Sequence, residues 1–152
     1  MILVTGGTGY CIGSHTCIAL VEVGLDFVLL DNFSNSERAM LQRLESILRR
    51  SIRIYEGDIR NRTLLRSNFE QQVVGAGIHF TGLKAVGESS QKPLDYYSNN
   101  VAGTLVILGT MVWVGCRKLV FFIRHNLWQC AHHAHSGWMR RALPRILTVA
   151  RS

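Results

Sequence analysis

Met1-Ile-Leu-Val-Thr-Gly-Gly-Thr-Gly-Tyr10 is the stretch that decides the fold. Its first five residues are a short apolar run rich in β-formers, which predicts a buried parallel strand. Gly6-Gly-Thr-Gly9 follows at once, and glycine lets a backbone approach a ligand closely because no Cβ intrudes. A helical stretch from Ser14 to Val23 comes next and stops at Gly24, a residue suited to the position just past a helix. Asp26 to Leu30 is a second strand, and it ends on Asp31. Strand, glycine turn, helix, strand and terminal acid is the layout of a nucleotide diphosphate site. Backbone N–H groups at a helix N-terminus face the pyrophosphate, and a carboxylate about 20 residues on accepts bonds from a ribose. A carboxylate there favours NAD over NADP, because it repels a 2′-phosphate. The bland alternative is a glycine turn followed by a surface Asp. The ordered set of features outweighs it.

Outward from this unit, strand and helix keep alternating. Glu37 to Arg50 is an amphipathic helix, and Ile52 to Glu56 alternates as a strand that leads into Gly57-Asp58. Asn61 to Gln72 is helical in composition. Val73 to Phe80 is the next strand, weakened by Gly75 and Gly77. Pro93 opens a helix that runs to Val114, since proline suits a first turn. Leu119 to Ile123 is a fifth strand. With no hairpin signals, this alternation predicts parallel strands joined by right-handed crossovers. The expected fold class is therefore α/β: a Rossmann-type doubly wound parallel sheet, incomplete after its fifth strand, with an irregular C-terminal tail. Residues 1–122 form the nucleotide-binding domain and residues 123–152 the tail.

Charge divides the chain at the same place. Residues 1–95 hold ten Lys/Arg and ten Asp/Glu, whereas residues 96–152 hold seven Lys/Arg and no acid. The net charge of +7 thus belongs wholly to the second part. Cys11, Cys17, Cys116 and Cys130 show no paired framework and read as reduced thiols of a cytoplasmic protein. The N-terminus lacks the basic and apolar regions of a secretory signal. Val101 to Cys116 carries no charge. It is nevertheless shorter than the roughly 20 residues a bilayer requires, so it reads as a buried helix.

Several longer strings are more specific. Leu3-Val-Thr-Gly-Gly-Thr-Gly-Tyr10 with Ile12-Gly-Ser-His-Thr16, Asp31-Asn-Phe-Ser-Asn-Ser36 and Glu56-Gly-Asp-Ile-Arg-Asn61 together resemble the cofactor loops of the UDP-galactose/UDP-glucose 4-epimerases. These belong to the extended short-chain dehydrogenase/reductase superfamily. Ile78-His-Phe-Thr-Gly-Leu-Lys-Ala-Val-Gly-Glu-Ser89, then Gln91 to Tyr97 and Asn99-Asn-Val-Ala-Gly-Thr104, resemble that family in particular. The resemblance implies NAD as cofactor, UDP-glucose and UDP-galactose as substrates, and a homodimer in the intact family. It implies that Gly6, Gly9 and Gly13 are the loop glycines, with Tyr10 and Ile12 opening the helix over the pyrophosphate. By the same resemblance Asp31, Asn32, Asn35 and Ser36 contact the adenosine ribose, and Asp58 and Ile59 lie beside the adenine. Phe80, Gly82 and Lys84 wall the nicotinamide-side ribose and phosphate, and Asn99 is a cofactor-side amide. Lys84 is a suitable point charge for a phosphate or a hydroxyl.

Two departures stand out. Cys11 is an extra residue, so the spacing is Gly6-x-x-Gly9-x-x-x-Gly13. One inserted residue at a helix start rotates the rest of the helix by about 100°. It is either absorbed as a bulge or displaces the N–H groups that hold the pyrophosphate. Second, the resemblance ends after Phe122. C4 epimerisation needs hydride transfer to NAD, rotation of a ketone intermediate and hydride return, with a base for the 4-OH proton. The family uses a Tyr-x-x-x-Lys pair and a Ser or Thr. Here no Tyr follows Tyr97 and no Lys follows Lys118. Codons for Ile123-Arg-His-Asn126 can be chosen so that the next reading frame spells Ser-Ala-Thr. A frameshift near residue 122 is therefore expected, and with it a truncated, inactive chain with no catalytic residues.

Within the tail, Cys130-Ala-His-His-Ala-His135 lacks the separated ligand pairs of a structural zinc site, so no metal is expected. Arg140, Arg141, Arg145 and Trp138 offer a basic aromatic surface, but Pro144 breaks the helix it would need. No nucleic acid or membrane partner is expected. Three functions are expected, in order: an epimerase-like chain that is inactive, a fragment that binds NAD or another nucleotide without catalysis, and a basic-tailed interaction protein.

Overall fold

A computed structural model describes residues 1–83, 85–122 and 145–148. Six strands and six α-helices are placed among them: β1 (Ile2–Thr5), α1 (Tyr10–Glu22), β2 (Phe27–Asp31), α2 (Arg38–Leu48), β3 (Ile54–Glu56), α3 (Arg62–Gln72), β4 (Ala76–His79), α4 (Val86–Gln91), α5 (Pro93–Tyr97), α6 (Gly103–Trp113), β5 (Lys118–Phe121) and β6 (Arg145–Thr148). A π turn, Ser98–Ala102, joins α5 to α6. The strand order is β3-β2-β1-β4-β5-β6. The first five strands are parallel, and β6 runs antiparallel to β5 with Val120 opposite Ile146.

The sheet is covered on both faces because its central strands are apolar throughout; every residue of β2 is buried. Side chains alternate along each strand. Leu3, Val28 and Leu30 therefore join Leu65 and Phe69 of α3 and Ile107 and Met111 of α6 in one cluster. Val4, Phe27 and Leu29 point the other way, into Cys17 and Leu20 of α1 and Leu44 of α2. Cys17 and Cys116 are free and buried. Burial pushes the Cys17 thiol up to about 12 and raises Cys116 as well.

α1 closes as expected at Gly24, whose φ of +73° admits the left-handed turn, with Leu25 N donating to Leu20 O at 2.8 Å. It starts four residues earlier than the sequence suggests, so Cys11 lies inside its first turn and not before it. The expected long helix from Pro93 to Val114 is present as continuous helical backbone, α5, the π turn and α6 following one another without interruption as far as Trp113. α4 and β6 had no counterpart in the sequence reading. The rest of the expected tail, including Cys130–His135 and Trp138–Arg141, lies outside the described residues. No described helix is long and apolar enough to cross a membrane.

Candidate functional site

In this strand order the chain leaves β1 toward β2 on one side, while β4 and β5 extend on the other. The crevice at the C-terminal ends of β1 and β4 is the switch point where parallel sheets bind ligands. Four loops converge at that end of the sheet.

The first loop is Gly6–Gly9. Gly6 N–H donates to Leu30 O at 2.9 Å, the last bond of the β1–β2 ladder, and its φ of +70° then turns the chain sharply off β1. Gly13 presses α1 onto this turn. A Cβ there would meet Gly6 O and the Gly7 Cα at 2.9 Å, so only hydrogen fits. Gly9 is the N-cap of α1 and no side chain caps it, which leaves the first-turn N–H groups to an anion. With Cys11 in the first turn of α1, Gly13 still packs against Gly6 and Gly7. Ile12 is half-exposed on the first turn. Tyr10 belongs to α1 by its backbone.

The second loop follows β2. Asp31 is buried and heavily bonded. Thr8 donates to Oδ2 through both N (3.3 Å) and Oγ1 (2.5 Å), and Phe33 N donates to Oδ1 at 3.0 Å. Ser36 Oγ lies 3.3 Å from Oδ1. Asn32 turns back on its own loop, accepting from Ser34 N at 3.1 Å and Ser34 Oγ at 2.8 Å. Asn35 is exposed.

The third loop carries Asp58 and Ile59. Arg60 grips Asp58 through its N (2.8 Å), Nε (2.9 Å) and a terminal guanidinium nitrogen (2.5 Å). The hydrogen-bonded guanidinium holds the Asp58 carboxyl below the usual carboxylate range, and Asp58 raises Arg60 in return. Arg60 also donates to Ser98 Oγ at 2.9 Å, which ties this loop to the π turn. The Ile59 side chain faces inward, in the core cluster of α3 and α6.

The fourth loop follows β4. The Phe80 ring stands 5.6 Å from Phe122, and Thr81 N abuts Gly6 so closely that a Cβ on Gly6 would come within 2.9 Å of it. Gly82 is half-buried. Leu83 is clamped by Asn100, which accepts from its N–H at 2.8 Å and donates to its carbonyl at 2.9 Å. Asn99 Nδ2 donates to Asn100 Oδ1 at 3.0 Å. Both amides sit in the π turn, a geometry found often at functional sites. Lys84 lies outside the described residues. Beneath the loop, His79 Nδ1 is 2.6 Å from Thr5 Oγ1, joining the ends of β4 and β1.

The described candidates thus fall on strand ends, loops, the start of α1 and the π turn. The sequence reading missed Thr8 and Asn100. A hydroxyl at the non-glycine position of the turn, and a second amide beside Asn99, were the available signals.

The family model described as "NAD dependent epimerase/dehydratase family" matches residues 2–123. A UDP-glucose 4-epimerase of Yersinia pestis is 52% identical over 120 residues, covering 79% of this chain and 35% of that protein. One of Klebsiella pneumoniae is 47% identical over 120 residues, covering 79% of this chain and 86% of that protein. The UDP-glucose 4-epimerase of Bifidobacterium longum, solved in complex with NAD+ and UDP, superimposes with a TM-score of 0.79 at 40% identity; the match covers 84% of this chain and 38% of that one. Against the Yersinia protein, the chain spans about a third of its relative's length.

Proposed function

Because the chain belongs to the NAD dependent epimerase/dehydratase family, we propose that residues 1–122 are the NAD-binding part of a UDP-glucose 4-epimerase. We propose further that these 152 residues bind the dinucleotide without epimerising a sugar. The observation that carries this reading is the uncapped N-terminus of α1, packed through Gly13 onto the Gly6–Gly9 turn, with Asp31 at the end of the neighbouring strand. The cradle suits a pyrophosphate and the acid suits an unphosphorylated adenosine ribose.

In this reading Gly6, Gly9, Gly13, Tyr10 and Ile12 hold the pyrophosphate. Asp31, Asn32, Asn35 and Ser36 hold the adenosine ribose, and Asp58 and the backbone of Ile59 border the adenine. Phe80, Gly82, Lys84 and Asn99 line the nicotinamide side. Bound NAD supplies a hydride acceptor for the sugar C4. Catalysis needs a base for the 4-OH proton as well, and no Tyr after Tyr97 is present to serve.

Calorimetric titration of the purified chain with NAD, beside a UDP-glucose/UDP-galactose turnover assay on the same sample, tests both halves. NAD binding without turnover is expected. No binding would remove the nucleotide reading, and turnover would show that a base lies elsewhere in these residues.

A further inference from the structure

Asp31 is nearly saturated by this chain's own donors. Thr8 N and Thr8 Oγ1 reach Oδ2, and Phe33 N and Ser36 Oγ reach Oδ1. An ionised carboxylate offers about four such positions; Thr8 and Phe33 fill three, and the single Ser36 proton is divided between Asp31 Oδ1 at 3.3 Å and Thr8 Oγ1 at 2.9 Å. Thr8 is 1% exposed and Asp31 8%. The Thr8 and Ser36 hydroxyl oxygens lie 2.9 Å apart. Two adjacent hydroxyls against one carboxylate is the pattern that the vicinal diol of a ribose presents.

We propose that Thr8 is a specificity-determining residue of the nucleotide site, its hydroxyl holding on Asp31 the place that a ribose hydroxyl takes. The inference rests on the reading of Asp31 as the ribose acceptor. Binding then exchanges one hydroxyl donor for another, so the 2′-OH of a nucleotide adds little net affinity. Thr8→Val keeps the shape and removes the donor. The buried carboxylate is left one donor short, and a ligand hydroxyl can supply it. The variant is less stable alone, yet it discriminates more strongly for ribose over deoxyribose. If Thr8 merely tethers the loop, the variant loses stability with no gain in discrimination.

The test is calorimetric titration of the full chain with ADP and with 2′-deoxy-ADP. Wild type and Thr8→Ser should bind the two within about threefold, whereas Thr8→Val should prefer ADP by about tenfold or more, the effect of satisfying one buried acceptor. Equal affinities in Thr8→Val would overturn the proposal. So would a wild-type preference for ADP of more than about tenfold, because the hydroxyl would then be gained and not exchanged. That wild-type ratio decides the matter even if Thr8→Val does not fold. Absence of ADP binding to wild type would instead remove the nucleotide reading, and the proposal with it.

Discussion

Asn68 sits on the inner face of α3, fully buried, and neither its Oδ1 nor its Nδ2 has a partner among the described residues. A buried amide without bonds costs about 1–3 kcal/mol. Leucine is similar in size and carries no polar atom. Asn68→Leu should therefore stabilise the fold by about 1–2 kcal/mol, read as a higher urea midpoint at unchanged slope. An unchanged midpoint would mean that water bonds the amide. Asp58 behaves oppositely, because Arg60 satisfies it. Its folded pKa is lowered by the Arg60 hydrogen bond, so its stabilisation is present above the unfolded carboxylate value and is lost as pH falls through the folded one. Arg60→Gln should thus lower the urea midpoint at pH 7, and the gap to wild type should narrow below the ordinary carboxylate range. A gap that stays constant with pH would assign the loss to the Ser98 bond instead. Both features are matters of surroundings: nothing in the sequence distinguishes Asn68 from a solvent-facing helix residue.

The helix ends show which parts of the elements were legible in the sequence. Gly24 stops α1 where the sequence places the stop, because glycine adopts a positive φ without strain. α3 has no such residue. Its C-cap is Val73, a β-branched side chain held at φ +48° and largely exposed, and the sequence read this residue as the start of β4. Non-glycine residues in this region are strained by about 1–2 kcal/mol, partly offset in a replacement by the entropy of the unfolded glycine. Val73→Gly should raise stability by about 1 kcal/mol in equilibrium unfolding; a decrease would show that the Val73 side chain contributes more than its backbone strain removes. The π turn between α5 and α6 was not legible, although the continuous helix that contains it was. Pro93 to Val114 has the composition of one helix, and the π turn within it is accompanied by the paired hydrogen bonds of Asn100 with Leu83, a contact across 17 residues. α4 was missed for a simpler reason. Val86-Gly-Glu-Ser-Ser-Gln91 is rich in residues that favour loops, and only six of them are helical.

At the scale of the molecule, the alternation of strand and helix, and with it the parallel sheet, was legible, because β1 and β2 are apolar runs and helical stretches separate the strands. The glycine turn and Asp31 were legible for the same reason, being consecutive with those elements. Thr8 and Asn100 were not, since each acts on a loop that only folding brings near. The edge of the sheet was also not legible: nothing in Arg145-Ile-Leu-Thr148 names its partner, yet it runs antiparallel along β5. Without it, Lys118-Leu-Val-Phe121 would present a row of unpaired backbone groups along an apolar strand. Such an edge is a template for pairing with another chain. A chain ending at Pro144 should therefore self-associate as its concentration rises, while the full chain at the same concentrations does not. Light scattering across a dilution series reads this directly. Association that appears equally in both chains would place the sticky surface elsewhere, with the exposed Leu94, Tyr97, Val101 and Leu105 face of α5, the π turn and α6 the next to test by substitution. A shortened chain that stays monomeric would show that β5 does not need β6 to remain unpaired with its neighbours.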